Sequence, residues 1–212
     1  MYRLLASLKI WQKALLPLAL CALVAVGLCA KLLIAKQAAD AEYTALVEQK
    51  SPAATWATRM GASVIDLSRL TWRSFGDSTA DAAEERRQLD ALLTQFRERA
   101  TRTRTLLTDS AFSSRVAGYQ QRFEALHTVA LNAMALEQTG KGTEAVALLQ
   151  ASFNQPFATL RQDLVTFADD ILAEAEAAGT RLSAEAAATQ REAILVVSVS
   201  LALVILLGVW SP

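Results

Sequence analysis

The sequence predicts an all-α protein: an antiparallel four-helix bundle flanked by two transmembrane helices. Three observations lead there. The 212 residues include only 8 Gly and 4 Pro and are 53% apolar, a composition that suits long helices better than sheets. The apolar excess is concentrated at the two ends, in the uncharged stretches 14–30 and 193–212. Between those ends, apolar residues recur at alternating spacings of four and three, the seam of packed helix bundles.

The N-terminal stretch continues past Lys31 through 32–35, giving about 22 residues, enough to cross the hydrocarbon core of a bilayer. Residues 14–35 are therefore read as a first transmembrane helix, preceded by a short cytoplasmic N-terminus, 1–13. A cleaved signal peptide is the rival, because Arg3, Lys9 and Lys13 form a basic leader to the apolar run. However, no small-x-small site ends that run, and Cys21 and Cys29 each follow Leu, a poor lipoprotein site. The run is also longer than a usual signal h-region, so an uncleaved span is expected. Residues 191–212 form the second span, with Leu-Val-Val-Ser-Val-Ser-Leu-Ala-Leu-Val-Ile-Leu-Leu inside it. A buried core helix is the bland alternative for either stretch and is uncommon at this length.

Basic residues set the orientation. Arg3, Lys9 and Lys13 precede the first span with no acid among them, which keeps the N-terminus in the cytoplasm. Two spans return the C-terminus there and leave 36–190 outside, as a periplasmic domain of a two-pass protein of the bacterial inner membrane. Lys31 would snorkel toward the outer surface. Both cysteines lie in the first span, so the outer domain has no disulfide although its compartment permits one. Cys21, Ala25 and Cys29 form either a small-residue ridge for helix packing or simple apolar filler.

Four outer helices follow in order. The first continues directly from the span and carries Trp56, Met60, Ser63, Leu67 and Leu70 on its seam, stopping at Gly76-Asp77-Ser78. The second runs from about Ala80 to Leu107 with Leu89, Leu93, Phe96, Ala100, Thr103 and Leu107 on the seam. Thr108-Asp109-Ser110 is a turn and N-cap signal. The third carries Phe112, Val116, Tyr119, Phe123, Leu126, Ala130 and Ala133, and ends at Gly140-Lys141-Gly142. A short helix over 145–152 leads to Asn154-Gln155-Pro156, where Pro suits the first turn of the fourth helix. That fourth helix has the cleanest seam, Leu160, Leu164, Phe167, Ile171, Ala175, Ala178 and Leu182, and runs into the second span.

Counting from the membrane at about 1.5 Å per residue levels residue r of the first outer helix with about residue 226 − r of the fourth. Arg69 then stands level with Phe157, and Arg73 with Phe153. The same count brings Arg97, Arg99, Arg102 and Arg104 near Asp169, Asp170 and Glu174, so either interhelical ion pairs or a solvated face is expected.

Catalysis finds little footing. His127 is the sole histidine and has no ligand cluster at metal spacing. No Gly-rich phosphate loop occurs, and no nucleophile and base share a recognisable motif. Glu84-Glu85 suits a helix N-terminus rather than acid–base chemistry. No catalytic residue, metal or cofactor is assigned. Lys+Arg and Asp+Glu both number 21, and with the outer compartment this argues against a nucleic-acid partner. Arg59, Arg69 and Arg73 lie along the first outer helix, and Arg69 and Arg73 share a face at i, i+4. Two guanidinium forks side by side suit a carboxylate, although Asp66, three residues before Arg69, could compensate them within the helix.

Leu67-Ser68-Arg69-Leu70-Thr71-Trp72-Arg73 resembles the Leu-Ser-Arg-x-x-x-Arg stretch of methyl-accepting chemotaxis receptors for aspartate and serine. Phe153-Asn154-Gln155-Pro156 resembles the aromatic-x-Gln-Pro that opens their fourth helix. In that family the arginines grip the carboxylates of an amino acid across a homodimer interface, and the aromatic-x-Gln-Pro segment supplies the rest of the pocket. The resemblance covers the whole chain in layout and these two stretches in motif. The family's further arginine corresponds to Val64 here, and the hydroxyl residue after its Pro to Phe157, with Thr159 two positions on. Aspartate specificity is therefore not carried over.

The expectation is a transmembrane chemoreceptor sensory module, not an enzyme, that dimerises through the first outer helix and first span. Its ligand would be a small anionic amino acid or organic acid, or a binding protein loaded with one. The candidate contacts are Arg69, Arg73, Phe153, Asn154, Gln155 and Thr159. Binding would slide the fourth helix against the first and carry a displacement across the membrane. The alternatives are the input domain of a sensor histidine kinase or diguanylate cyclase, and a structural membrane-anchored bundle without a small-molecule ligand. Because the sequence stops at Trp210-Ser211-Pro212, where such a receptor begins its HAMP linker, it reads as an input module without its output.

Overall fold

A computed structural model of the chain describes residues 10–75, 81–107 and 109–209, with side chains at 19 and within 21–202. Arg3, Lys9, Gly76-Asp77-Ser78, Ala80, Thr108 and Trp210-Ser211-Pro212 lie outside the described residues. Every described element is helical: α1 (Ile10–Ala45), a π-helical turn (Leu46–Lys50), α2 (Ser51–Arg73), α3 (Ala82–Leu106), α4 (Ser110–Gln138), α5 (Gly142–Ser152) and α6 (Asn154–Val209). The backbone forms two compact units, Ala45–Ala177 and a unit of the two chain ends, up to Thr44 and from Ala178.

The expected uninterrupted first helix is helical throughout but not α throughout. The Ser51 N–H donates to the Leu46 carbonyl, five residues back. Pro52 accounts for the wide turn. It has no N–H for the Glu48 carbonyl, and its ring would crowd that carbonyl in a regular α-turn. Asp81 and Asp109 cap α3 and α4 by accepting the N–H groups of Ala83 (2.9 Å) and Ala111 (2.7 Å). Glu84 and Glu85 occupy the first turn of α3, where the helix dipole favours them. At the end of α4 the Gly140 N–H bonds the Glu137 carbonyl and the Lys141 N–H bonds that of Leu136, both at 2.9 Å. This paired closure needs a left-handed residue, and Gly140 supplies it at φ +75°.

Within Ala45–Ala177 one apolar core draws on α2, α3, α4, α5 and α6. Met60, Leu67, Leu89, Phe96, Phe123, Leu126, Leu160, Leu164, Phe167 and Ile171 are each at most 2% exposed, so most of each seam read from spacing is buried, while Leu70, Leu93, Phe112 and Ala175 are half-buried and Leu92 takes the core place expected of Leu93. Neighbouring helices run antiparallel, as their pairings fall in number on one while rising on the other. On α2 and α3, the Met60 sulfur accepts from Thr103 and Arg73 donates to Gln88. On α3 and α4, Asp90 approaches His127 and Arg97 pairs with Glu124. Between α4 and α6, Arg115 pairs with Asp170 and Arg122 with Asp163. Ring pairs tie the same neighbours: Phe96 stacks on Phe123 at 4.0 Å, and Tyr119 meets Phe167 edge-on at 5.3 Å.

Two expectations shift. Trp56 is half-buried at the rim, while Ala53, Ala57 and Val64 complete the core face of α2. The arginines of α3 do not reach the acids of α6. Arg97 pairs with Glu124, Arg102 with Glu98, and Arg104 donates to Ser113, while Asp170 is taken by Arg115 and Glu174 by Lys50. Equal height is not adjacency: these pairings join α3 to α4, and α6 to α4 and the π-turn.

In the unit of the two chain ends, large apolar side chains face outward. Leu23, Val26, Leu33 and Ile34 on α1 and Ile194, Leu195, Val197 and Leu201 on α6 are all more than half exposed. The helical run Cys21–Arg73 contains a segment long and apolar enough to cross a membrane, with mean hydropathy 1.7 and none of it buried. Part of the second expected span, beyond 202, has no described side chains. Lys31 forms an ion pair with Glu192, and Glu42 pairs with Arg181 at 3.4 Å.

Candidate functional site

The candidate residues come from the C-terminal end of α2 and the N-terminal end of α6. Arg69 is exposed on α2, and its guanidinium lies 3.1 Å from Asp66, three residues back. Arg73 closes α2 and turns to α3, where it donates to Gln88 Oε1 at 2.9 Å and lies 3.7 Å from Glu85 Oε1. Gln88 in turn donates to Glu84 at 3.0 Å. The Glu85 side chain is only 8% exposed, and among the described residues its Oε1 has no hydrogen-bond donor.

In the second candidate segment, Phe153 separates α5 from α6. It is fully buried, stacks on Phe157 at 5.9 Å, and its carbonyl accepts the Phe157 N–H at 2.8 Å. Phe153 therefore anchors the entry to α6 in the core. Asn154, Gln155 and Thr159 are exposed on the first turns of α6, and the Thr159 hydroxyl donates to the Gln155 carbonyl at 3.0 Å.

The Lys50–Glu174 pair, at 2.6 Å, gives an internal register for α2 against α6. Followed at one residue per residue, it levels Arg69 with about residue 155, near the residue 157 expected from sequence, while Arg73 stands beyond the N-terminus of α6 at Asn154. Among the described residues, no hydrogen bond or ion pair joins Arg69 or Arg73 to Asn154, Gln155 or Thr159. Val64, where the resembling receptors carry an arginine, is fully buried in the core.

A shallow cavity of about 540 Å³ lies nearby, lined by Phe75, Glu137, Thr143, Val146, Ala147 and Gln150. Sequence reasoning missed it, though Gly140-Lys141-Gly142 marks its edge. A Cβ at Gly142 would stand 2.6 Å from Glu137 Oε2, so the bare glycine lets that carboxylate lie against the start of α5, where the dipole favours it.

His127 is 5% exposed, with Nε2 3.2 Å from Asp90 Oδ1. Among the described residues Nε2 makes no well-aligned hydrogen bond. Burial pushes its pKa down, Asp90 pulls against that, and Arg97 adds to the lowering. Arg97 and Gln120 hold the Glu124 carboxyl below its ordinary value. Among the described residues no group of three or more His, Cys, Asp or Glu could hold a metal ion.

No family model, curated protein or solved structure matches the chain. The residues themselves offer an exposed guanidinium at Arg69 beside Asp66, a second at Arg73 bonded to Gln88, and exposed amide side chains at Asn154 and Gln155. Such a set can bind an anion through forked hydrogen bonds, and it contains no nucleophile poised beside a base.

Proposed function

We propose that the chain is the sensory half of a two-pass receptor of the chemoreceptor type, in which an antiparallel four-helix bundle outside the membrane is held between two membrane spans. The observation that carries this reading is the contrast between the two units. Ala45–Ala177 has a complete core of its own, while α1 and the C-terminal part of α6 turn Leu, Ile and Val outward. Contiguous apolar surface of that kind is costly in water and natural in lipid. The antiparallel pairings of α2, α3, α4 and α6 support the bundle.

The anionic ligand, an amino acid or organic acid, would engage Arg69 and Arg73 on one side and Asn154, Gln155 and Thr159 on the other, shifting α6 against α2. Coupling requires the ligand to bind one position of α6 better than the other. The competing reading is structural, and the Arg69–Asp66 and Arg73–Gln88 contacts favour it, since both arginines already have partners inside the unit.

Thermal-shift titration of the full chain in a nonionic detergent, against amino acids and organic acids, separates the two. The sensor reading expects stabilisation by at least one anion, abolished in R69A/R73A. No response from the wild type, or an undiminished one in the double variant, eliminates the arginine site. Recovery of the full chain in the soluble fraction without detergent would eliminate the membrane reading.

A further inference from the structure

The face shared by α2 and α3 carries a concentration of arginine that the ligand reading does not use. Two guanidinium groups lie against the indole of Trp56: Arg59, 4.6 Å from the ring centroid, and Arg102, 4.7 Å from it. Arg99 packs beside them and donates to the Arg59 carbonyl at 2.8 Å and to the Ser63 hydroxyl. Glu98, 2.6 Å from Arg102, is the one carboxylate joined to this group among the described residues. Three cations against one carboxylate leave a surplus of two positive charges on a small area. Arg97, Arg115 and Arg122 of the same unit each have a carboxylate, Glu124, Asp170 and Asp163, whereas the three guanidinium groups gathered at Trp56 share the one of Glu98.

We propose that this α2–α3 face, centred on Trp56, is a docking surface for a partner protein that presents an acidic segment. Arg59 and Arg102 are exposed and Trp56 is half-buried, on the outside of two adjacent helices. Guanidinium groups resting on an indole are held in place in advance; Arg59 keeps its N–H fork for an incoming carboxylate, and Arg102 keeps the donors that Glu98 does not take. Arg99 is spent on the Arg59 carbonyl and Ser63, so it fixes the platform rather than reaching outward. Trp and Arg are also the side chains that dominate the energetic centres of protein interfaces. A carboxylate-rich chain would neutralise the surplus and cover the indole edge together.

The test uses the full chain in nonionic detergent with Trp11, Trp72 and Trp210 replaced by Phe, so that Trp56 alone reports. A fluorescein-labelled hexaglutamate peptide is followed by anisotropy and by the Trp56 emission. The expected result is a saturable, salt-sensitive rise in anisotropy with a matching change in Trp56 emission. R59Q/R102Q should weaken binding about tenfold or more with unchanged helicity and melting temperature. R87Q, which removes an exposed arginine paired with Glu84, should leave binding as it was. The proposal is overturned if hexaglutamate gives no saturable signal, or if R59Q/R102Q binds like the parent. It is also overturned if free glutarate or a single-stranded DNA oligonucleotide competes as well as unlabelled hexaglutamate, which would make the patch a small-anion or polyphosphate site.

Discussion

Replacing Phe167 with Ala should destabilise the Ala45–Ala177 unit by about 4 kcal/mol. Phe167 is fully buried, and removing a core Phe side chain costs about 3–5 kcal/mol through lost transfer energy and the cavity left behind. The upper half of that range applies because the ring has several partners that would lose contact together. Tyr119 and Phe112 meet it edge-on at 5.3 and 5.8 Å, and the Arg115 guanidinium lies 4.9 Å from its centroid. Burial works against the Arg115 charge, while the Tyr119 hydroxyl and Asp170 outweigh it and raise the pKa; loss of the ring would loosen that arrangement too. Phe167→Leu keeps most of the volume and forfeits the ring interactions, so about 1–2 kcal/mol is expected. Thr166→Ala, one residue away on the exposed face, should stay within about 0.5 kcal/mol. Urea unfolding of the full chain in detergent, followed by Tyr and Trp fluorescence, measures all three. A loss below about 1 kcal/mol for Phe167→Ala, or one no larger than for Thr166→Ala, would refute the packing of α4 against α6.

Two further outcomes follow from single residues. Because burial depresses the His127 pKa in the folded state, the unfolded chain binds the proton more readily. Stability should therefore be full above about pH 6.5 and decline below it, toward the depressed folded value, by at most about 1.4 kcal/mol per pH unit. His127→Gln should flatten that decline, and a decline unchanged in the variant would assign it to other groups. Gly140→Ala places a Cβ at φ +75° and should lower stability by about 1–2 kcal/mol. A smaller loss for Gly140→Asn would confirm that backbone conformation, not space, is the cause, since nothing lies within 4 Å of an added Cβ there.

The helices and their buried faces were legible because spacing alone encodes them. Leu160, Leu164, Phe167 and Ile171 repeat at four and three and are all buried. Trp56 fitted the same spacing yet lies at the rim, since the arginines that cover it come from α2 and α3 and have no periodic signature. Height was legible to within about two residues: the count levels Arg69 with Phe157, and the Lys50–Glu174 pair levels it with about residue 155. Which helix stands beside which was not legible. A count along an axis carries no angle around it, so it levels Arg97 with the acids of α6 without deciding between a pair and a solvated face, and the partner is Glu124 on α4. Phe153 was read from the motif as a ligand contact, and its complete burial comes from the break between α5 and α6. The partners of Arg73 depend on how α3 enters beside α2, which no local pattern states.

The wide turn at Leu46–Lys50 gives this chain a spare residue. The bond from Ser51 back to Leu46 closes a loop one residue longer than an α-turn requires. Losing one residue inside the turn could be absorbed there, as the conversion of a loose coil into a tight one. The same loss after Pro52 would swing Met60, Val64 and Leu67 off their buried face, because nothing else in α2 can take up the slack.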